Sequence, residues 1–184
     1  MNRALALVLF SISVVVFSSA QTATGGPFEI NESGIQVKFP GKPERTSHVV
    51  DTWYGKGSVI TYMYRSPTND RIFRLSIADA GSPLLGDDDF KTRLDAVEKG
   101  ESAQWGVPVL KQKRGDFSGY RGREAVLEGN SVSLVSRGLF VDTKFVYFTV
   151  FISGKLSAMT AAEAAIARKS IDEYLSSLTY TKPK

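Results

Sequence analysis

His48 is the only histidine in the chain, and cysteine is absent. One imidazole can serve as a general base, but that route needs a nucleophile and an orienting group beside it. Asp51 stands three residues on, which on a strand turns it to the opposite face. No Gly-x-Ser-x-Gly elbow and no Ser-x-x-Lys pair occurs. His48 therefore reads as a surface or edge-strand histidine, and no residue is assigned a catalytic role. Zinc and copper sites draw on several His or Cys ligands, so no metal is expected. Asp87-Asp88-Asp89 is the one acidic cluster. It lacks calcium-loop spacing and reads as the cap of a helix, whose N-terminus favours negative charge. Gly55-x-Gly57 and Gly119-x-x-Gly122 do not complete a dinucleotide fingerprint, and neither opens a helix that could hold phosphate. No cofactor is expected.

Two features could be binding surfaces. Lys111, Lys113, Arg114, Arg121, Arg123, Arg137 and Lys144 fall on neighbouring segments with strand character. Such a field attracts an acidic partner or anionic surface, and Arg121, Arg123 and Arg137 are the candidates for that contact. Asp116, Glu124 and Glu128 are interleaved with them. The alternative is a solvated sheet face with cross-strand ion pairs, Glu124 with Arg137 among them. The second feature is Trp53-Tyr54, at the tip of a hairpin. Exposed aromatics there can anchor a partner, or they can fold back across the hairpin. Mixed charge in an exported chain argues against nucleic acid.

The elements that position these residues follow from hydrophobic period. Residues 28–30 and 35–39 alternate apolar and polar around a turn and read as a hairpin. Residues 44–52 and 58–65 form the next, with 53–57 as its tip. Residues 71–78 continue the pattern, with Phe73, Leu75 and Ile77 on one face and Arg74 and Ser76 on the other. A helix starts at Phe90, carries Phe90, Leu94, Val97 and Glu101 at helical spacing, and ends before Gly106. Strands follow at 109–117, 120–128, 131–141 and 145–153. The last is apolar on both faces, so it must be covered on both and lie centrally. Thr160-Ala161-Ala162-Glu163 is a capping box, opening a helix through Ala167, Ile171, Tyr174 and Leu175. A short strand can follow from Thr179. Strands joined by hairpins with two helices interposed favour an antiparallel α+β domain.

The first twenty residues differ from the rest. Arg3 precedes an uncharged run over residues 4–17, and Ser18-Ser19-Ala20 supplies small residues before Gln21. This is the layout of a secretory signal peptide cut at Ala20/Gln21, with an uncleaved anchor as the alternative. The division is then a signal peptide over 1–20, a small polar lead-in over 21–27 and one domain over 28–184. The 184 residues carry a formal charge of +4, are 42% hydrophobic and contain no cysteine. Those values exclude a disordered chain and a disulfide scaffold, and suit one secreted or periplasmic globular domain.

Ile35-Gln36-Val37-Lys38-Phe39-Pro40-Gly41-Lys42-Pro43 resembles the opening of a group of small exported bacterial proteins of unknown function. Gly119-Tyr120-Arg121-Gly122-Arg123-Glu124 is similar to their G-x-P-G-R-E segment, with Arg121 where proline is usual. Ser136-Arg137-Gly138-Leu139-Phe140-Val141 and Lys144-Phe145-Val146-Tyr147 resemble their last hairpin. The resemblance implies a PsbP-like fold, an antiparallel sheet sandwiched by helices in an α/β/α arrangement. Relatives of that fold, extrinsic photosystem subunits and a nuclear-import cofactor, act by binding. The expectation is an exported, non-enzymatic binding or accessory protein. Its partner is an unidentified protein or envelope component, possible contact with an anionic surface included. A small hydrolase or other enzyme with an unrecognised cleft is the alternative.

Overall fold

Ten strands and two helices form over the residues described, 27–52, 55–79 and 87–182, in a computed structural model. The residues read as a signal peptide, most of those read as a lead-in, and Trp53 and Tyr54, read as an aromatic tip, lie outside the residues described. No helix among the described residues is long and apolar enough to cross a membrane.

The strands fall into two antiparallel sheets. In the smaller, β1 (Phe28–Glu32) and β10 (Thr179–Tyr180) flank β2 (Ile35–Phe39). The larger runs in the order β3 (Glu44–Thr52), β4 (Gly55–Arg65), β5 (Arg71–Asp79), β9 (Lys144–Ser153), β8 (Val132–Val141), β7 (Tyr120–Glu128), β6 (Val109–Phe117). Turn chemistry sets the tight hairpins. Ser33-Gly34 and Ser118-Gly119 each place both central residues at positive φ. That two-residue loop matches the twist of the flanking strands. The hairpin of β3 and β4 is longer than its sequence suggests. Thr52 already pairs with Gly55, so Lys56 and Gly57 belong to the ladder rather than the tip.

β9 lies between β5 and β8, inside the sheet, as its two apolar faces require. Its side chains at Val146, Phe148, Val150 and Ile152 join a large apolar cluster on one side. The same cluster takes Phe73, Leu75 and Ile77 from β5, Val37 and Phe39 from β2, and helix α2 (Ala161–Leu175). Tyr174 of α2 is its hub. Its ring lies 5.1 Å from Phe39, 5.2 Å from Phe73 and 5.3 Å from Phe148, drawing the small sheet, the large sheet and the helix together. The capping box that starts α2 is formed. Thr160 Oγ1 accepts from the Glu163 amide, and Glu163 Oε2 accepts from the Thr160 amide.

Helix α1 (Asp87–Trp105) meets the opposite face of the large sheet. It begins three residues before Phe90, so the aspartates form its first turn rather than precede it. Phe90 packs on Phe140 at 5.6 Å, and Trp105 on Phe151 at 4.7 Å. Gly138 lies beneath Leu94, where a Cβ would stand 2.4 Å from Leu94 Cδ2, so a glycine here lets the helix approach the sheet. Between those apolar ends the contact is made of charges.

Candidate functional site

Strand alternation separates the three arginines expected to form one anionic-partner surface. Arg121 and Arg123 share the face of β7 that meets α1. Glu124 points the other way, and Arg137 pairs with Glu124 across the ladder, so Arg137 faces α2. Burial then removes two of the three from reach. Arg123 is 2% exposed; its Nε donates to Glu98 Oε1 at 2.6 Å and its Nη1 to Asp95 Oδ1 at 2.6 Å. Arg137 is 6% exposed. It donates to Glu124 Oε2 at 2.6 Å and to the Leu175 carbonyl at 2.9 Å, and lies over the Phe117 ring. Only Arg121 is exposed, with its guanidinium 4.7 Å above the Phe90 ring. The shared arginine surface is therefore corrected: two of its members brace the interior from opposite sides. The cross-strand pair of Glu124 with Arg137 is formed.

A second guanidinium repeats the arrangement of Arg123. Arg74, on β5, donates to Glu101 and, at 3.0 Å, to Thr149 Oγ1. Glu98 and Glu101 are one helical turn apart, so one face of α1 presents two carboxylates to two strand arginines. Gln112 of β6 also donates to Glu98. Burial pushes the Glu98 carboxyl above its usual range, against the pull of the Arg123 charge. Sequence reading placed Glu101 on the inner stripe of α1 but missed Glu98 and Arg74. The available signal was opposite charge at core-facing positions of two elements.

Beside Arg74 a cavity of about 20 Å³ opens between α1 and the sheet, lined by His48, Thr61, Arg74, Ser76, Glu101 and Tyr147. Arg74 Nε and Glu101 Oε2 are buried without a protein hydrogen-bond partner. Burial, and then the Glu101 charge, push the Tyr147 phenol well up. A larger, open groove of about 400 Å³ lies between α2 and the turn after β9, with Arg71, Lys155, Met159 and Ile166 on its walls. Arg71 is already tied to Ser170 and Asp70. Among the described residues no group of three His, Cys, Asp or Glu side chains could hold a metal ion.

Three of the seven basic residues singled out in the sequence, Lys111, Lys113 and Arg114, stand together on the outermost strand. β6 ends the large sheet, and every residue from Val109 to Asp116 is exposed. Lys111, Lys113 and Arg114 have no ion-pair or hydrogen-bond partner among the described residues. Lys113 stands opposite Glu124, whose carboxylate is taken by Arg137; Arg114 stands opposite the buried Arg123. By contrast Lys144, also singled out in the sequence, pairs with Asp79 at 3.4 Å. An irregularity between Val109 and Lys111 leaves Leu110 outside the ladder and 63% exposed. The site is thus a basic edge strand with an apolar residue at its start.

No family model matches the sequence, and no curated protein matches it. The solution structure of cyanobacterial PsbP from Synechocystis sp. PCC 6803 is similar, with a TM-score of 0.52 and 13% identity over 90% of this chain and 99% of that one. The fold is PsbP-like. A protein of unknown function from Pseudomonas aeruginosa is similar at a TM-score of 0.39 and 12% identity, covering 87% of this chain and 100% of the other.

Proposed function

We propose that the chain is an exported, non-enzymatic binding or accessory domain that meets an anionic partner through β6. One observation carries this reading: Lys111, Lys113 and Arg114 are exposed on a sheet edge with no partner of their own among the described residues. By contrast Arg123 and Arg137 are turned inward and neutralised by Glu98 and Glu124. Unpaired surface cations steer an oppositely charged partner and set its orientation. The α/β/α sandwich fits this role, since α1 and α2 touch opposite faces and leave the edge of β6 to solvent. Export rests on the signal-like residues 1–20. Sequencing the amino terminus of protein recovered from outside the cytoplasm should read from Gln21.

The test of the binding role is affinity capture from the native envelope with the protein and with K111E/K113E/R114E. The partner should be acidic, and the triple reversal should lose it while keeping its circular dichroism spectrum. Equal capture by both would remove β6 from the function.

A hydrolase is the second reading, favoured by the meeting of His48, Ser76 and Glu101 at one cavity. Its size weighs against this. About 20 Å³ admits a single water-sized body, whereas small-molecule sites run to roughly 300–1,000 Å³. Ester or amide hydrolysis abolished by both H48A and S76A would reverse the preference.

A further inference from the structure

We infer that β6 takes up an acidic, extended polypeptide segment as an eighth strand of the large sheet. The inference rests on the anionic-partner reading above and specifies what the partner is. In an antiparallel sheet, alternate N–H and C=O groups of an end strand point away from its one neighbour. Among the described residues β6 is hydrogen-bonded as a strand only to β7, so its outer row of main-chain groups is open there along a strand that is exposed from Val109 to Asp116. Such a row binds any extended chain by main-chain hydrogen bonds, and the side chains decide which.

The side chains of β6 decide for acid. Lys111 and Lys113 lie on the face shared with Glu124 and Val126, and Arg114 on the face shared with Arg123. An added strand with Asp or Glu at alternate positions would set carboxylates opposite the two lysines, and one on its other face would meet Arg114. The same charges disfavour a second copy of β6, because self-pairing about its centre brings Lys113 against Lys113 or Arg114. Leu110, bulged out of the ladder at the start of the strand, offers an apolar contact to one end of the segment. A lipid surface would satisfy the charges but leave the open main-chain row unused, which is why a polypeptide is favoured over a membrane.

The experiment titrates the protein with a small panel of acidic peptides whose Glu residues alternate with Val or Thr. Each is paired with a copy N-methylated at alternate amides along one edge. Phosphatidylglycerol vesicles form a third arm. At least one unmethylated peptide should bind and should slow amide exchange along Lys111, Lys113 and Arg114. Methylation on the docking edge and K111E/K113E/R114E should each weaken it by about tenfold or more, the scale of one or more lost hydrogen bonds or charge contacts. Equal binding of methylated and unmethylated peptides overturns strand addition while leaving an anionic partner in place. Vesicle binding that depends on the three cations, without peptide binding, overturns it in favour of a membrane surface. Failure of every anionic probe overturns both this inference and the reading beneath it.

Discussion

Arg123 Nε lies 2.6 Å from Glu98 Oε1, a strand guanidinium against a helix carboxylate, with side-chain exposures of 1% and 4%. The pair fixes where α1 sits, because Glu98 would be left without a cation in the interior if it opened, and the other partner of Arg123, Asp95, lies on the same helix. Removing one partner of such a pair typically costs about 3–5 kcal/mol, whereas an apolar replacement of both is often near neutral. Glu98→Leu and Arg123→Met should each lower the denaturation midpoint sharply. The double variant Glu98→Leu with Arg123→Met should recover much of the loss. Additive losses in that cycle would show that the two groups do not work as a pair.

The same logic separates inner from outer cations. Single reversals K111E, K113E and R114E should change stability by no more than about 0.5 kcal/mol each, as surface changes do. Arg123→Glu should unfold the domain or cost several times that. Comparable losses at all four positions, measured by urea denaturation, would mean that β6 is structurally engaged.

Gly122 is packed where a side chain has no room. A Cβ there would stand 2.3 Å from Leu139 Cδ2 and 2.7 Å from the Gly138 carbonyl oxygen, and the backbone cannot retreat as a side chain can. Gly122→Ala should therefore destabilise by about 1–3 kcal/mol, the usual cost of overpacking. Gly100→Ala meets nothing within 4 Å and should be neutral or slightly stabilising in its helix. Thermal melts of the two variants check the contrast.

Glu128 predicts an acid response. Its carboxylate accepts from the Ser157 hydroxyl, from the Ser157 amide at 3.0 Å and from Ser133 Oγ at 3.2 Å. The Ser157 hydroxyl is the strongest influence holding its pKa below the usual value. A depressed carboxylate adds stability above its unfolded-state pKa and loses that contribution as pH falls through the folded-state one. Glu98, displaced upward, works in the opposite sense, its contribution fading as pH rises. The stability gap between the protein and Glu128→Gln should thus be widest near neutrality and close on acidification. Urea midpoints measured at a series of pH values test this; a gap independent of pH would reject it.

Losing the cap of α2 isolates a smaller effect. Thr160→Ala removes the oxygen that accepts from the Glu163 amide and should cost about 1 kcal/mol. Thr160→Asn should restore most of it, which a change in packing alone would not explain.

Much of the fold was legible because one residue pattern admits few solutions. β9 has apolar or aromatic residues at every position from Phe145 to Ile152 except Thr149, so an interior place with both faces covered follows directly. The capping box at Thr160 and the hairpin turns are likewise local chemistry. The site was not legible for a different reason. Arg121 and Arg123 look equivalent at alternate positions, and only the placement of α1 decides that one is exposed and the other buried between Glu98 and Asp95. Whether Arg137 shares their face depends on its pairing with Glu124 rather than on its own sequence neighbours. Lys113 could be recognised as unpaired only after Glu124, its neighbour across the ladder, had been matched to Arg137.

The small sheet joins the two ends of the described chain. β10 pairs with β2, the Thr181 amide donates to the Gly34 carbonyl at 2.9 Å, and the Lys38 amide donates to Ser177 Oγ at 3.1 Å. Everything between must be closed into a loop before those bonds can form, so their completion belongs late in folding. However the polypeptide is delivered, front end first, its opening hairpin waits without its third strand until the final residues arrive. Trimming those residues would therefore loosen the beginning of the domain.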